Sequence, residues 1–77
     1  MEIYFRLPKS IVKMKDRIDI ERGGYLTTSS LNGQEKSVLI NYKDETRALE
    51  ILNDIDKELD ISINQKNNVL FVELPEK

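Results

Sequence analysis

Met1 to Leu7 alternates Ile3, Phe5 and Leu7 with Glu2, Tyr4 and Arg6. A period of two marks a half-buried strand, and Pro8 stops it because it has no N–H for a ladder. Ile11, Val12 and Met14 lie among lysines and suit a short edge strand or an irregular crossing. Arg17 to Arg22 alternates again, with Ile18 and Ile20 inward. Gly23-Gly24 then accepts positive φ and predicts a tight hairpin. Tyr25 to Leu31 is the expected return strand, and Asn32-Gly33 predicts a type I′ turn into a strand over Lys36 to Tyr42. In that last strand Val38 and Ile40 share one face and Leu39 takes the other, which suggests a central strand or a sheet face partly covered by a partner.

From Asp44 the period changes. Ala48, Leu52, Ile55 and Leu59 recur at steps of four, three and four, one stripe of an α-helix, widened by Ile51 and less closely by Leu49. Asp44 is placed to accept the free N–H groups of the first turn. Glu50, Asp54 and Glu58 line the opposite side at i, i+4, i+8. Like charges at that spacing weaken an isolated helix, so packing or a basic partner must hold it. The helix runs from Asp44 to about Leu59. Residues 60–63 fit either a further turn, which would bring Ile63 near the buried stripe, or a strand. Asn64 to Asn68 is a polar turn, and Val69 to Leu74 a final strand closed by Pro75. The chain is one α+β domain over residues 1–77: a small antiparallel meander, one amphipathic helix packed on one face, and a short C-terminal strand.

Composition limits the chemistry. The 77 residues hold no cysteine, histidine or tryptophan. Disulfides and thiolate metal sites are excluded, along with the usual general base and zinc ligand. A core this small leaves little room for a deep pocket of roughly 300–1,000 Å³. No apolar run approaches the ~20 residues of a membrane span, and no basic-then-apolar leader opens the chain, so a cytoplasmic location is expected. The net charge of −2 divides unevenly, at +3 over residues 1–43 and −5 over residues 44–77. Such polarity suits attraction of an anion to one side, or self-association between opposite faces.

No phosphate-loop, dinucleotide, nucleophile-elbow or metal-triad signature is present, so no catalytic, cofactor or metal residue is assigned. The hydroxyls of Thr27, Thr28, Ser29 and Ser30 lack a histidine base and read as strand surface. Asp16, Asp19 and Glu21 lack the glycine-centred loop of a calcium site. One candidate ligand set is Arg17, Arg22, Gly23, Gly24 and Tyr25. Glycines bare backbone N–H groups to an anion, arginine supplies a bidentate fork, and tyrosine offers a stacking face. An ordinary hairpin tip has the same residues. The basic set Arg6, Lys9, Lys13, Lys15 and Arg17 could attract nucleic acid, but the acidic pI of 5.1 and five aromatics argue against general binding. The candidate partner surface is Glu50, Asp54 and Glu58.

The stretch Tyr42-Lys43-Asp44-Glu45-Thr46-Arg47-Ala48-Leu49-Glu50-Ile51-Leu52-Asn53-Asp54-Ile55, with the later Asn68-Val69-Leu70-Phe71-Val72-Glu73-Leu74-Pro75, resembles small accessory proteins of phages and mobile elements in Firmicutes. Their pattern is a tyrosine, a capped helix with Arg-Ala-Leu-Glu-Val-Leu and an acidic-Ile pair, then a short strand ending Met-Pro. Leu74 stands where methionine is usual, and the N-terminal half matches only in layout. The resemblance implies a phage or mobile-element accessory protein with no catalytic residues to carry over, in the host cytoplasm if phage-encoded. The expected function is inhibition of an anti-phage defence system, by sequestering an anionic signalling nucleotide within a homo-oligomer or by occluding a defence protein. The alternative is a protein–protein interaction module using the acidic helix face.

Overall fold

A computed structural model describes residues 1–76. Its strands are β1 (Glu2–Arg6), β2 (Ile11–Lys13), β3 (Arg17–Glu21), β4 (Tyr25–Ser29), β5 (Lys36–Asn41) and β6 (Val69–Glu73), with one helix, α1 (Glu45–Asn64), before the last. The architecture is α+β, as the periodicities require. The strands divide into two three-stranded sheets, ordered β2-β1-β6 and β3-β4-β5. β6 runs parallel to β1, with Tyr4 beside Phe71 and Phe5 beside Val72. Every other pairing is antiparallel.

The chain between β2 and β3 stitches the sheets together. Met14 N–H donates to the Ile3 carbonyl (2.8 Å), and Asp16 N–H to the Ser29 carbonyl (3.0 Å). Lys15 N–H donates to Thr28 Oγ1 (2.9 Å). The core gathers where both sheets meet α1, from Phe5, Leu26, Leu39, Ile51, Ile55, Val72 and Leu74. Burying one such side chain contributes roughly 1.5–3 kcal/mol, so this cluster is the principal favourable term.

Four local expectations are corrected. The turn after β4 is not type I′: Gly33 has φ +75°, but Asn32 is not among the residues with positive φ. Instead, Asn32 Oδ1 accepts from Gln34 N–H (3.0 Å), and Ser30 N–H donates to the Glu35 carbonyl (2.8 Å) across a longer loop. β5 is an edge strand rather than a central one. A register shift pairs Leu26 with Ile40 but Thr27 with Val38, so Leu39 is the extra residue of a bulge. The bulge turns Leu39 inward to 6% exposure and leaves Val38 at 56%. Thr27, Thr28 and Ser29 are buried rather than on the strand surface. Finally, α1 runs past Leu59 to Asn64, which makes residues 60–63 helix, the first of the two alternatives, yet Ile63 is 61% exposed and Ser62 takes the buried position.

The helix ends are well defined. Asp44 is extended (φ −154°) and its Oδ1 accepts from Thr46 N–H at 2.9 Å. At the other end Lys66 adopts φ +58°. Its N–H donates to the Ile63 carbonyl (3.0 Å), and Asn67 N–H to the Ser62 carbonyl (3.1 Å). These are the two bonds of a Schellman cap, with lysine in the left-handed position that glycine usually fills.

Candidate functional site

The expected ligand set is spread along β3 and the following turn. Arg17 begins β3 and Arg22 follows its end, about 16 Å apart at roughly 3.3 Å per residue. The Arg17 Nε donates to Ser29 Oγ (3.1 Å) and lies 3.0 Å from Asp19 Oδ2. Gly23 and Gly24 both have positive φ, as a tight hairpin needs. Gly24 is tied down at both backbone groups, its N–H to the Glu21 carbonyl (3.1 Å) and its carbonyl to Tyr42 N–H (2.9 Å). A Cβ at Gly24 would stand 2.5 Å from the Asp44 nitrogen and 2.9 Å from its carbonyl carbon. The glycine therefore lets the hairpin tip touch the start of α1. Tyr25 is exposed, beside Asn41 on β5.

The hydroxyl run cross-links the second sheet. Thr28 Oγ1 donates to the Arg17 carbonyl (2.9 Å), Thr27 Oγ1 to the Asp19 carbonyl (3.4 Å), and Ser29 Oγ to Asp19 Oδ2 (3.5 Å). The neighbouring carboxylates are likewise engaged. Asp16 Oδ2 accepts from Leu31 N–H (3.0 Å), and Glu21 pairs with Lys36. Among the described residues no buried side-chain nitrogen or oxygen lacks a hydrogen bond.

The acidic helix positions have a different setting. All three are exposed, but they do not form one isolated face. Glu50 lies 3.8 Å from Arg47. Asp54 and Glu58 border a groove of about 160 Å³ between α1 and β6, with Arg47, Ile51, Ile55, Val72, Glu73, Leu74 and Pro75 completing its lining. Helical geometry explains the composition. Ile51 and Ile55 belong to the inward stripe, while Asp54 and Glu58 sit one step round it. β6 offers Val72 from its buried side, and Leu74 follows just past its end, with Glu73 between them. The result is an apolar floor, two helix carboxylates on one bank, and one arginine in the lining. The volume falls below the roughly 300 Å³ of a small-molecule pocket, and suits individual side chains of a larger partner.

A wider, shallow cleft of about 550 Å³ opens at the start of α1, lined by Asn41, Tyr42, Lys43, Asp44, Arg47, Glu50 and Glu76. Its polar groups serve local structure. Asp44 caps the helix, Asn41 Oδ1 accepts from Lys43 N–H (2.8 Å), and Tyr42 OH donates to the Pro75 carbonyl (2.7 Å). Burial pushes the Tyr42 phenol above its ordinary pKa, with nearby Arg47 opposing the shift. Tyr42 is the one apolar body in the lining, so the smaller groove is the better binding surface.

The outer face of the first sheet carries a feature that sequence reading missed. Tyr4 and Phe71 stack at 5.4 Å between ring centroids, and the Arg6 guanidinium lies 4.5 Å from the Phe71 centroid. Arg6 also meets Glu73 at 3.6 Å, and Phe71 is 46% exposed. Sequence alternation placed Tyr4 and Arg6 outward, but only the parallel register of β6 brings Phe71 beside them. The groove floor was missed for the same reason, since nothing in the sequence sets β6 beside α1.

No protein-family model, curated protein or solved structure matches the chain. Among the described residues no helix is long and apolar enough to cross a membrane.

Proposed function

We propose that this chain is a non-catalytic binding protein of the phage accessory type, acting in the host cytoplasm by occluding a host defence protein. The observation that carries the binding surface is the groove between α1 and β6, where Asp54 and Glu58 flank Ile51, Ile55, Val72 and Leu74. These four side chains are nearly buried, so the recognition chemistry of the groove lies in its carboxylates, whose charge is complementary to a basic partner. The resemblance of residues 42–55 and 68–75 to phage accessory proteins supplies the kind of target. Nucleotide sequestration is less well supported. It needs Arg17, Arg22 and the glycine turn around a shared pocket in a homo-oligomer, whereas Arg17 is engaged by Asp19 and Ser29, and Gly24 by Glu21 and Tyr42.

Expression in bacteria that each carry one anti-phage defence system tests the proposal, read as plating efficiency of a sensitive phage. The wild-type chain restores plating against at least one system. The double variant Asp54→Arg/Glu58→Arg, checked for folding by circular dichroism, loses that effect, while Arg17→Ala/Arg22→Ala retains it. The occlusion reading is refuted by the reverse pattern, and the inhibitor reading by no rescue in any system.

A further inference from the structure

We infer that β6 is a docking edge, and that the partner adds to it as an extended strand whose helix-facing residues are lysine or arginine. The inference rests on the groove reading above and specifies its mode and chemistry.

Sheets end in unpaired backbone, and proteins blunt such edges with short strands, lysine, proline or bulges. Three of the four edges here carry those devices. β2 has three residues, follows Pro8 and includes Lys13. β3 alternates charged residues at Arg17, Asp19 and Glu21. β5 begins with Lys36 and bears the bulge. β6 is different. It reads Val-Leu-Phe-Val-Glu, without lysine or proline inside it; its single charge is at the end, and Pro75 stands two residues beyond.

The free side of β6 can be assigned from its pairing with β1. Leu74 N–H donates to the Arg6 carbonyl (3.3 Å), and the Asn68 carbonyl accepts from Glu2 N–H (2.8 Å). In a parallel ladder the backbone groups of one residue point to one side, and successive residues alternate. Leu70, Val72 and Leu74 therefore face β1, and Val69, Phe71 and Glu73 present N–H and C=O outward. Among the described residues no strand pairs with that side.

The groove dictates the side chains of the added strand. Alternate residues would point towards α1, over the apolar floor of Ile51, Ile55, Val72 and Leu74, and reach Asp54 and Glu58. A lysine or arginine satisfies the charge, its head at Asp54 and Glu58, which with Glu73 outnumber Arg47 in the lining, and its stem along the narrow strip between α1 and β6. The intervening residues would lie beside Phe71 and Val69 on the outer face and should be apolar. Neither β6 nor β2 of a second copy meets these terms. β6 against β6 would bring two sets of Asp54, Glu58 and Glu73 together. β2 carries Lys13 opposite Tyr4, on the face turned away from the helix.

The probe is a labelled ten-residue peptide of alternating lysine and valine, followed by fluorescence anisotropy against the full chain. It binds, a peptide of alternating glutamate and valine does not, and Asp54→Arg/Glu58→Arg abolishes binding. Glu73→Pro removes an outward N–H without touching the β1 ladder, and weakens binding about tenfold beyond the effect of Glu73→Gln, about 1.4 kcal/mol. In the wild-type chain, hydrogen exchange at the Phe71 amide slows at least about tenfold on binding, a readout that needs no variant. Binding with no protection of Phe71 and no difference between the two Glu73 variants overturns strand addition but leaves the groove reading. Absence of binding overturns the inference even if Asp54→Arg/Glu58→Arg abolishes plating rescue. A dimer in light scattering with Phe71 already protected overturns it in favour of a second copy.

Discussion

Gly24→Ala tests whether the hairpin glycine is a packing residue or part of an anion site. Gly24 has φ +87°, and an added Cβ would meet the Asp44 backbone at 2.5 Å (N), 2.9 Å (C) and 3.0 Å (O). The left-handed conformation costs a non-glycine residue roughly 1–2 kcal/mol. Forcing backbone apart at a packed contact costs roughly another 1–3 kcal/mol, giving roughly 2–5 kcal/mol in total. A domain of this size has about 4–12 kcal/mol to lose, and each kcal/mol moves its melting temperature by roughly 4–8 °C. The fall in Tm should therefore be roughly 8–40 °C, read by thermal and urea unfolding. Gly33→Ala is the control, because Gly33 has φ +75° with nothing within 4 Å of the added Cβ. The alanine's effect on the unfolded chain is common to both variants and cancels in their difference. The difference isolates the close approach to Asp44 and should be at least about 1 kcal/mol. If the two variants unfold within about 0.5 kcal/mol of each other, the packing argument is wrong and Gly24 returns to the anion reading.

Two further variants test the ends of the helix region. Lys66→Gly relieves the left-handed lysine of the C-terminal cap and should stabilise by roughly 0.5–1 kcal/mol, since the dihedral gain exceeds the extra unfolded-state freedom of glycine; a destabilised variant contradicts the cap. Tyr42 has its pKa raised by burial, against the influence of Arg47, so the folded state holds that proton more tightly than the unfolded chain. Its contribution is fully present below about pH 10 and is lost as pH rises through the folded pKa. Urea unfolding of wild type and Tyr42→Phe between pH 8 and 11 should show a steeper alkaline decline in the wild type, and parallel curves would contradict the assignment.

Local readings succeeded where local physics decides. Asp44 caps α1 because its carboxylate reaches Thr46 N–H, and the apolar stripe buries Ala48, Ile51 and Ile55. The far end of the helix was illegible because its left-handed residue is Lys66, not the glycine by which such ends are recognised. Alternation failed at β5 because a bulge puts Leu39 and Ile40 opposite a single residue of β4, and a bulge leaves no mark on sequence periodicity. The buried hydroxyls of β4 were misjudged because their partners, Arg17 and Asp19, belong to the neighbouring strand.

By itself the sequence determined an α+β chain with one capped amphipathic helix, an exposed acidic row at Glu50, Asp54 and Glu58, and no histidine or cysteine chemistry. Each follows from residue type and short-range spacing. Only the tertiary structure decided that β6 joins β1 in parallel, that among the described residues no strand pairs with its outer side, and that two of the three acidic residues border a groove beside α1. Strand order and strand direction depend on contacts between residues about seventy positions apart, such as Glu2 and Val69, to which a periodicity of two or 3.6 residues is blind.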